Sequence, residues 1–205
     1  EITKKELKSL YNLITQVGDN ADYLVISGSL PPNVSNDAYY KIMHLVKAKS
    51  DRVRIVLDAD GETLFKGLKG KPFLVKPNVH ELERLIGTAI KTDKEICKAA
   101  VKVQKMGAAN VIVSRGGKGL IALSEHGDFF SVVGPKVKVA STVGAGDSLI
   151  AGVVYKLDQK KTFKEALQFG VAVSTAMVMT PGTELCNLKD VQKNLHKVKV
   201  NTISF

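Results

Sequence analysis

The sequence predicts an α/β fold, one domain over residues 1–205, with a mostly parallel sheet and helices on both of its faces. Two observations predict it. Short apolar runs of strand length alternate with amphipathic stretches of about 10–15 residues, the pattern of βαβ units. The chain of 205 residues, 44% hydrophobic and 24% charged, has the size and composition of one sizeable soluble core.

Taken in order, Thr3 and Glu6 make a capping box ahead of Leu7, Leu10, Leu13, Ile14 and Val17 at helical spacing, which predicts a helix over 3–18 closed by Gly18. DYLVIS (22–27) is a continuous apolar run between turn formers, the pattern of a strand buried on both faces. A helix over 36–49 and a strand over 53–59 follow. PFLVKPN (72–78) reads as a strand stopped by proline, then come a short helix over 79–87 ended by Gly87 and a longer one over 93–106. NVIVS (110–114) is a strand. LIALSE and DFFSVV, on either side of His126 and Gly127, form a β-hairpin. Residues 145–157 and 163–178 are two closing helices.

The formal charge of +10 raises the question of a nucleic-acid partner. The lysines are interleaved with acids along helical stretches, as in KKELK and KTDKEICKAAVKVQK, which is the pattern of solvated helix faces, so no nucleic-acid partner is expected. A small anionic ligand would still gain from the positive field. Cys97 and Cys186 stand far apart without a CxxC or Cys/His cluster, so they read as reduced, structural thiols. The four histidines lack HExxH or HxH spacing and receive no catalytic or metal role. No apolar run approaches membrane-spanning length and no signal-peptide pattern opens the chain, so a cytoplasmic protein without membrane contact is expected. The chain opens on Glu1 directly at a helix, and an upstream segment is expected.

In open α/β sheets ligands sit beyond the carboxyl ends of the strands. The loops there, SGSLPPN, DADG, KPNVHE, SRGGKG and STVGAGD, all carry glycine, proline, charge or amide groups and are expected to converge on one site. In TVGAGDS, Gly144 and Gly146 permit a tight turn with no Cβ where a ligand approaches, and a helix starting near Ala145 aims its unbonded N–H groups at the same spot. Asp147 then stands where phosphate charge would collect and can deprotonate an attacking hydroxyl, or it is a dipole-favoured acid on a glycine-permitted loop. No G-x-x-x-x-G-K-[ST] or G-x-G-x-x-G pattern exists. Asn78 and Glu81, three residues apart at a helix start, suit a hydrated magnesium ion, or Asn78 caps the helix. SRGGKG can wrap a nucleotide or simply turn the chain. SGSLPP offers the Ser27 and Ser29 hydroxyls in front of a rigid diproline.

Together, and in this order, these motifs resemble the PfkB (ribokinase-like) family of carbohydrate kinases. STVGAGDSLIAG is similar to the family's carboxy-terminal signature, and ISGSLPP, VKPNVHEL, VSRGGKG and FGVAVSTAMVMTPGTELC resemble its hexose-phosphate branch. The resemblance runs from Tyr23 to Asn187 and implies a Rossmann-like three-layer core. It implies ATP-dependent phosphorylation of a ketohexose phosphate, fructose 1-phosphate in the first place, with fructose 6-phosphate and tagatose 6-phosphate as alternatives. By position, Asp147 looks like the catalytic base and substrate contact, and Gly144, Ala145 and Gly146 like the anion hole. Ser114, Gly116 and Gly119 resemble the nucleotide loop, with Gly170 and Ser174 near the adenine. Ser29 resembles a substrate-contacting serine. Asn78 and Glu81, with Lys76 beside them, look like the element that organises magnesium through water. Ser141, Val143 and Gly182 fall where some relatives hold a potassium ion through backbone oxygens. Family members carry an additional amino-terminal third with a first core strand, a β-sheet lid and a Gly-Gly-Asn substrate loop, none of which is in this sequence; that lid makes the contact of the homodimer implied for the complete protein. Two other classes stay open, a non-catalytic nucleotide-binding remnant and a basic nucleic-acid-binding domain.

Overall fold

A computed structural model describes residues 1–18 and 21–204. The chain divides into two compact units, Glu1–Ile112 and Val113–Phe205.

The first unit alternates helix and strand throughout: α1 (Lys4–Gly18), β1 (Tyr23–Ser27), α2 (Ala38–Lys47), β2 (Arg54–Asp58), α3 (Gly61–Leu68), β3 (Leu74–Val75), α4 (Val79–Ile86), α5 (Asp93–Met106) and β4 (Asn110–Ser114), which runs to the division between the units. Its ladders are parallel, with Leu24 opposite Ile55, Leu57 opposite Val75 and Val75 opposite Val111. Ile55, Val56, Leu57, Leu74, Val75 and Val111 are fully buried, as expected where helices cover a parallel sheet.

Capping chemistry sets the helix starts. Glu6 accepts from the Thr3 N–H at 2.8 Å, the Asp60 carboxylate accepts from the Gly61 N–H at 2.6 Å, and Asn78 with Glu81 and Thr92 with Glu95 complete reciprocal capping boxes. Two expectations are corrected here. β1 is not buried on both faces: only Ile26 is buried and Val25 is 43% exposed, because β1 is an edge strand that pairs with β2 alone among the described residues. The strand expected over 72–78 shrinks to Leu74–Val75, since the prolines at 72 and 77 have no N–H to give a ladder. α3 is an element beyond those the sequence pattern predicts.

The second unit carries β5 (Leu120–Leu123), β6 (Phe129–Val133), α6 (Ala145–Asp158), α7 (Phe163–Val178), α8 (Leu188–Leu195) and β7 (Lys199–Ile203). β5 and β6 form the expected hairpin, closed by the Ser124 N–H on the Asp128 carbonyl at 2.9 Å, and β7 adds antiparallel to β6. Neither α8 nor β7 was anticipated. α6 and α7, joined by a short link, pack as an antiparallel pair. A Cβ on Gly152 would lie 2.9 Å from the Gly170 Cα, and one on Gly170 would lie 2.8 Å from the Leu149 carbonyl oxygen, so the crossing depends on both glycines.

Candidate active site

The candidate residues fall in both units, Ser29, Asn78 and Glu81 in the first and the others in the second. In the first unit the chain leaves β1 at Ser27 and turns at Gly28, whose φ of +102° suits glycine. The Gly28 N–H donates to the Asp58 carbonyl at 3.1 Å, and the Tyr39 hydroxyl donates to the Gly28 carbonyl at 3.2 Å. These two bonds hold the exposed Ser29 just beyond the carboxyl end of β1.

At the ends of β2 and β3 the register that sets Leu57 opposite Val75 brings the next residues, Asp58 and Lys76, together. Their ion pair measures 3.2 Å, with the Lys76 side chain only 8% exposed and that of Asp58 17%. Sequence reasoning places Asp58 in the DADG loop without singling it out. The available signal was an acid ending one apolar run and a lysine ending the next.

Asn78 is the N-cap of α4. Its Oδ1 accepts from the Glu81 N–H at 2.9 Å, its Nδ2 donates to Glu81 Oε1 at 2.7 Å, and Glu81 Oε2 accepts from the Asn78 N–H at 2.8 Å. The capping reading of Asn78 is therefore what the fold uses. Each carboxylate oxygen has a second lone pair, so Glu81 keeps acceptor capacity toward the water shell of a cation. Among the described residues no three His, Cys, Asp or Glu side chains gather into a metal cage. Magnesium that travels with phosphates needs only one or two carboxylates and several waters, and Asn78 with Glu81 fits that mode.

In the second unit Ser114 ends β4 and a tight turn over Gly116–Lys118 follows, with the Arg115 N–H on the Gly119 carbonyl at 2.8 Å. The two candidate glycines of this turn differ. At Gly119, φ is +79° and a Cβ would run into the Val132 carbonyl oxygen, whereas Gly116 at φ +56° faces open space. The Ser141 hydroxyl accepts from the Val143 N–H at 3.2 Å, and the Ala140 N–H donates to the Val178 carbonyl at 2.7 Å, anchoring the approach to α6. Gly182, at φ +59°, lies in the exposed loop after α7.

The start of α6 has a glycine at its N-cap. α3, α4, α5, α7 and α8 each begin with a side chain accepting from a first-turn N–H, and α2, which lacks such a bond, still has Asp37 at its N-cap, while α6 begins at Gly144, φ +73°, which has no side chain to offer. The Ala145 N–H reaches the Thr142 carbonyl at 3.3 Å, and the helix's own ladder begins with the Ser148 N–H on the Gly144 carbonyl at 2.8 Å. The N–H group of Gly146 thus falls among the first-turn donors that a helix cannot serve internally. Asp147 is exposed in the same turn. Ser174, from α7, donates its hydroxyl to the Ala145 carbonyl at 2.9 Å, and Gly170 is buried at the α6–α7 crossing.

Residues 3–190 match the profile of the pfkB family carbohydrate kinases. The chain belongs to that family. A 1-phosphofructokinase of Borreliella burgdorferi is 36% identical over 203 residues, covering 99% of this chain and 64% of its own length. The ATP-dependent 6-phosphofructokinase isozyme 2 of Escherichia coli is 35% identical over 195 residues, covering 94% of this chain and 62% of the relative. Among solved structures, phosphofructokinase-2 from Escherichia coli in complex with potassium superposes with a TM-score of 0.87 at 33% identity, over 95% of this chain and 62% of that one. The chain thus spans less than two thirds of the length of these pfkB relatives. The α/β architecture is that of the pfkB kinases, and the match to the family takes in the candidate residues of both units. No helix among the described residues is long and apolar enough to cross a membrane.

Proposed function

We propose that this chain takes part in the ATP-dependent phosphorylation of a ketohexose phosphate, converting fructose 1-phosphate to fructose 1,6-bisphosphate. The observation that carries the reading is the start of α6, where a glycine replaces the capping side chain and an acid stands in the first turn. In the reaction a sugar hydroxyl oxygen attacks the γ-phosphorus of ATP. A new O–P bond forms, the bridging O–P bond to ADP breaks, and the hydroxyl proton passes to the Asp147 carboxylate. The backbone donors of Gly144, Ala145 and Gly146 meet the charge on the transferring group, the Ala145 N–H turning from its long 3.3 Å bond to the Thr142 carbonyl. Ser29 contacts the sugar. Ser114, Gly116 and Gly119 border the nucleotide, with Gly170 and Ser174 on its adenine side. Asn78 and Glu81 would hold magnesium through water, and the carbonyls of Ser141, Val143 and Gly182 would hold a potassium ion. Magnesium would supply neutralising charge to the phosphate oxygens. The complete protein acts as a homodimer.

The choice of fructose 1-phosphate is supported by the relatives named 1-phosphofructokinase; the isozyme named 6-phosphofructokinase, at nearly the same identity, supports fructose 6-phosphate as the second reading. The test is ADP release from Mg-ATP with each sugar phosphate offered separately. Turnover with fructose 1-phosphate, reduced at least about 10²-fold in Asp147→Asn, is the expected result. Preference for fructose 6-phosphate moves the assignment within the family. An Asp147→Asn variant with wild-type turnover removes Asp147 as the base, and bound ATP without turnover on either sugar favours a non-catalytic nucleotide-binding role.

A further inference from the structure

α6 and α7 run antiparallel, so a step toward the amino end of one is a step toward the carboxyl end of the other. Gly170 lies against Leu149, and four residues away on each helix Ser174 lies against Ala145. The close approach allowed by the paired glycines lets a side chain as short as serine span the gap. The acceptor is the carbonyl of Ala145, and that carbonyl shares one peptide group with the Gly146 N–H.

We propose that Ser174 is a positioning residue for the anion-binding turn, acting through the Ala145–Gly146 peptide. This deepens the kinase reading above and rests on it. A donor on a peptide oxygen withdraws charge through the amide and makes the N–H on its far side a stronger donor. The same bond fixes the plane of that peptide, and with it the direction of the Gly146 N–H. A helix start capped by a side chain has at least one of its donors already served by that cap. The start of α6 has a glycine instead, and the Ser174 hydroxyl braces it from behind, 29 residues away along the chain.

The experiment follows the Gly146 amide resonance of the 205-residue chain by NMR while inorganic phosphate is added, in wild type, Ser174→Ala and Ser174→Thr. In wild type the resonance moves saturably with phosphate. In Ser174→Ala it starts upfield, reflecting weaker polarisation, and phosphate affinity falls about three- to tenfold, the span expected for one hydrogen bond. Ser174→Thr restores both. A merely structural role for Ser174 would lower thermal stability and shift the resting Gly146 resonance but leave phosphate affinity at its wild-type value. The inference is overturned if Ser174→Ala keeps the wild-type phosphate affinity. If the wild-type resonance ignores phosphate, the anion-site reading fails, and this inference fails with it.

Discussion

At the scale of single residues, glycines in the same turn do different work. Gly119 is demanded by the fold: its φ of +79° is costly for any other residue, and a Cβ there would press on the Val132 carbonyl, which cannot move without disturbing β6. Gly116 pays only the conformational cost of φ +56°, since nothing lies within 4 Å of where its Cβ would be. Gly119→Ala is expected to cost about 3 kcal/mol or more. Gly116→Ala is expected to cost about 1–2 kcal/mol. Urea unfolding of the two variants checks the contrast. If the open space at Gly116 is where a nucleotide backs onto the chain, Gly116→Ala also raises the KM for ATP while kcat holds. An unchanged KM would remove Gly116 from the nucleotide site and leave it a turn former. Glycine spacing alone could not separate these two, because the obstacle at Gly119 comes from a strand that pairs behind it.

At the scale of elements, Asp58 and Lys76 show what a parallel ladder can build from residues that no local pattern joins. The in-register ends of β2 and β3 bury a carboxylate and an ammonium 3.2 Å apart. Removing one partner strands the other in a poorly solvated position. Asp58→Asn is therefore expected to destabilise the chain by about 3 kcal/mol, and the double variant Asp58→Asn with Lys76→Met to recover most of that loss, as replaced buried pairs do. A double variant no more stable than the single one would mean that Asp58 acts through another partner. Legibility follows the same division between local and distant. Helices opened by capping boxes, such as 79–87, 93–106 and 163–178, were readable to within a residue because the signal lies inside four consecutive positions. α3 was missed because two glycines in eight residues weaken its helical pattern, although Asp60 caps it. β7 exposes most of its short length and owes its conformation to β6. In the candidate site the glycine–acid turn before α6 was legible as a motif. The bond from Ser174 to its first turn was not, since it depends on how closely two helices cross.

At the scale of the whole molecule, carboxylates that accept backbone hydrogen bonds, at helix caps and at Glu83, make stability depend on pH. Hydrogen bonds from the backbone N–H of Thr3 to Glu6 and of Lys91 to Glu95 hold both carboxyls below the usual carboxylate range. Glu165 is lowered first by the Thr162 hydroxyl and then by its N–H, and Glu83 by the Ile90 N–H. Each has an ordinary value of 4.5 once the chain unfolds. Between the lowered folded values and 4.5 the unfolded chain binds more protons, so stability rises with pH across that window. The contribution is fully present above 4.5 and is lost as pH falls through the folded values. Acidification also adds to a formal charge that is already +10 at pH 7, which raises self-repulsion in the compact state. The urea midpoint is thus expected to hold steady from pH 7 to about 5 and to fall below about 4.5. Replacing Glu95 and Glu165 together by glutamine, which keeps the geometry of a capping box but does not titrate, should lower the midpoint at neutral pH and flatten the acid limb. A double variant that loses stability on acidification as steeply as wild type would assign the acid limb to the overall charge, and not to the caps.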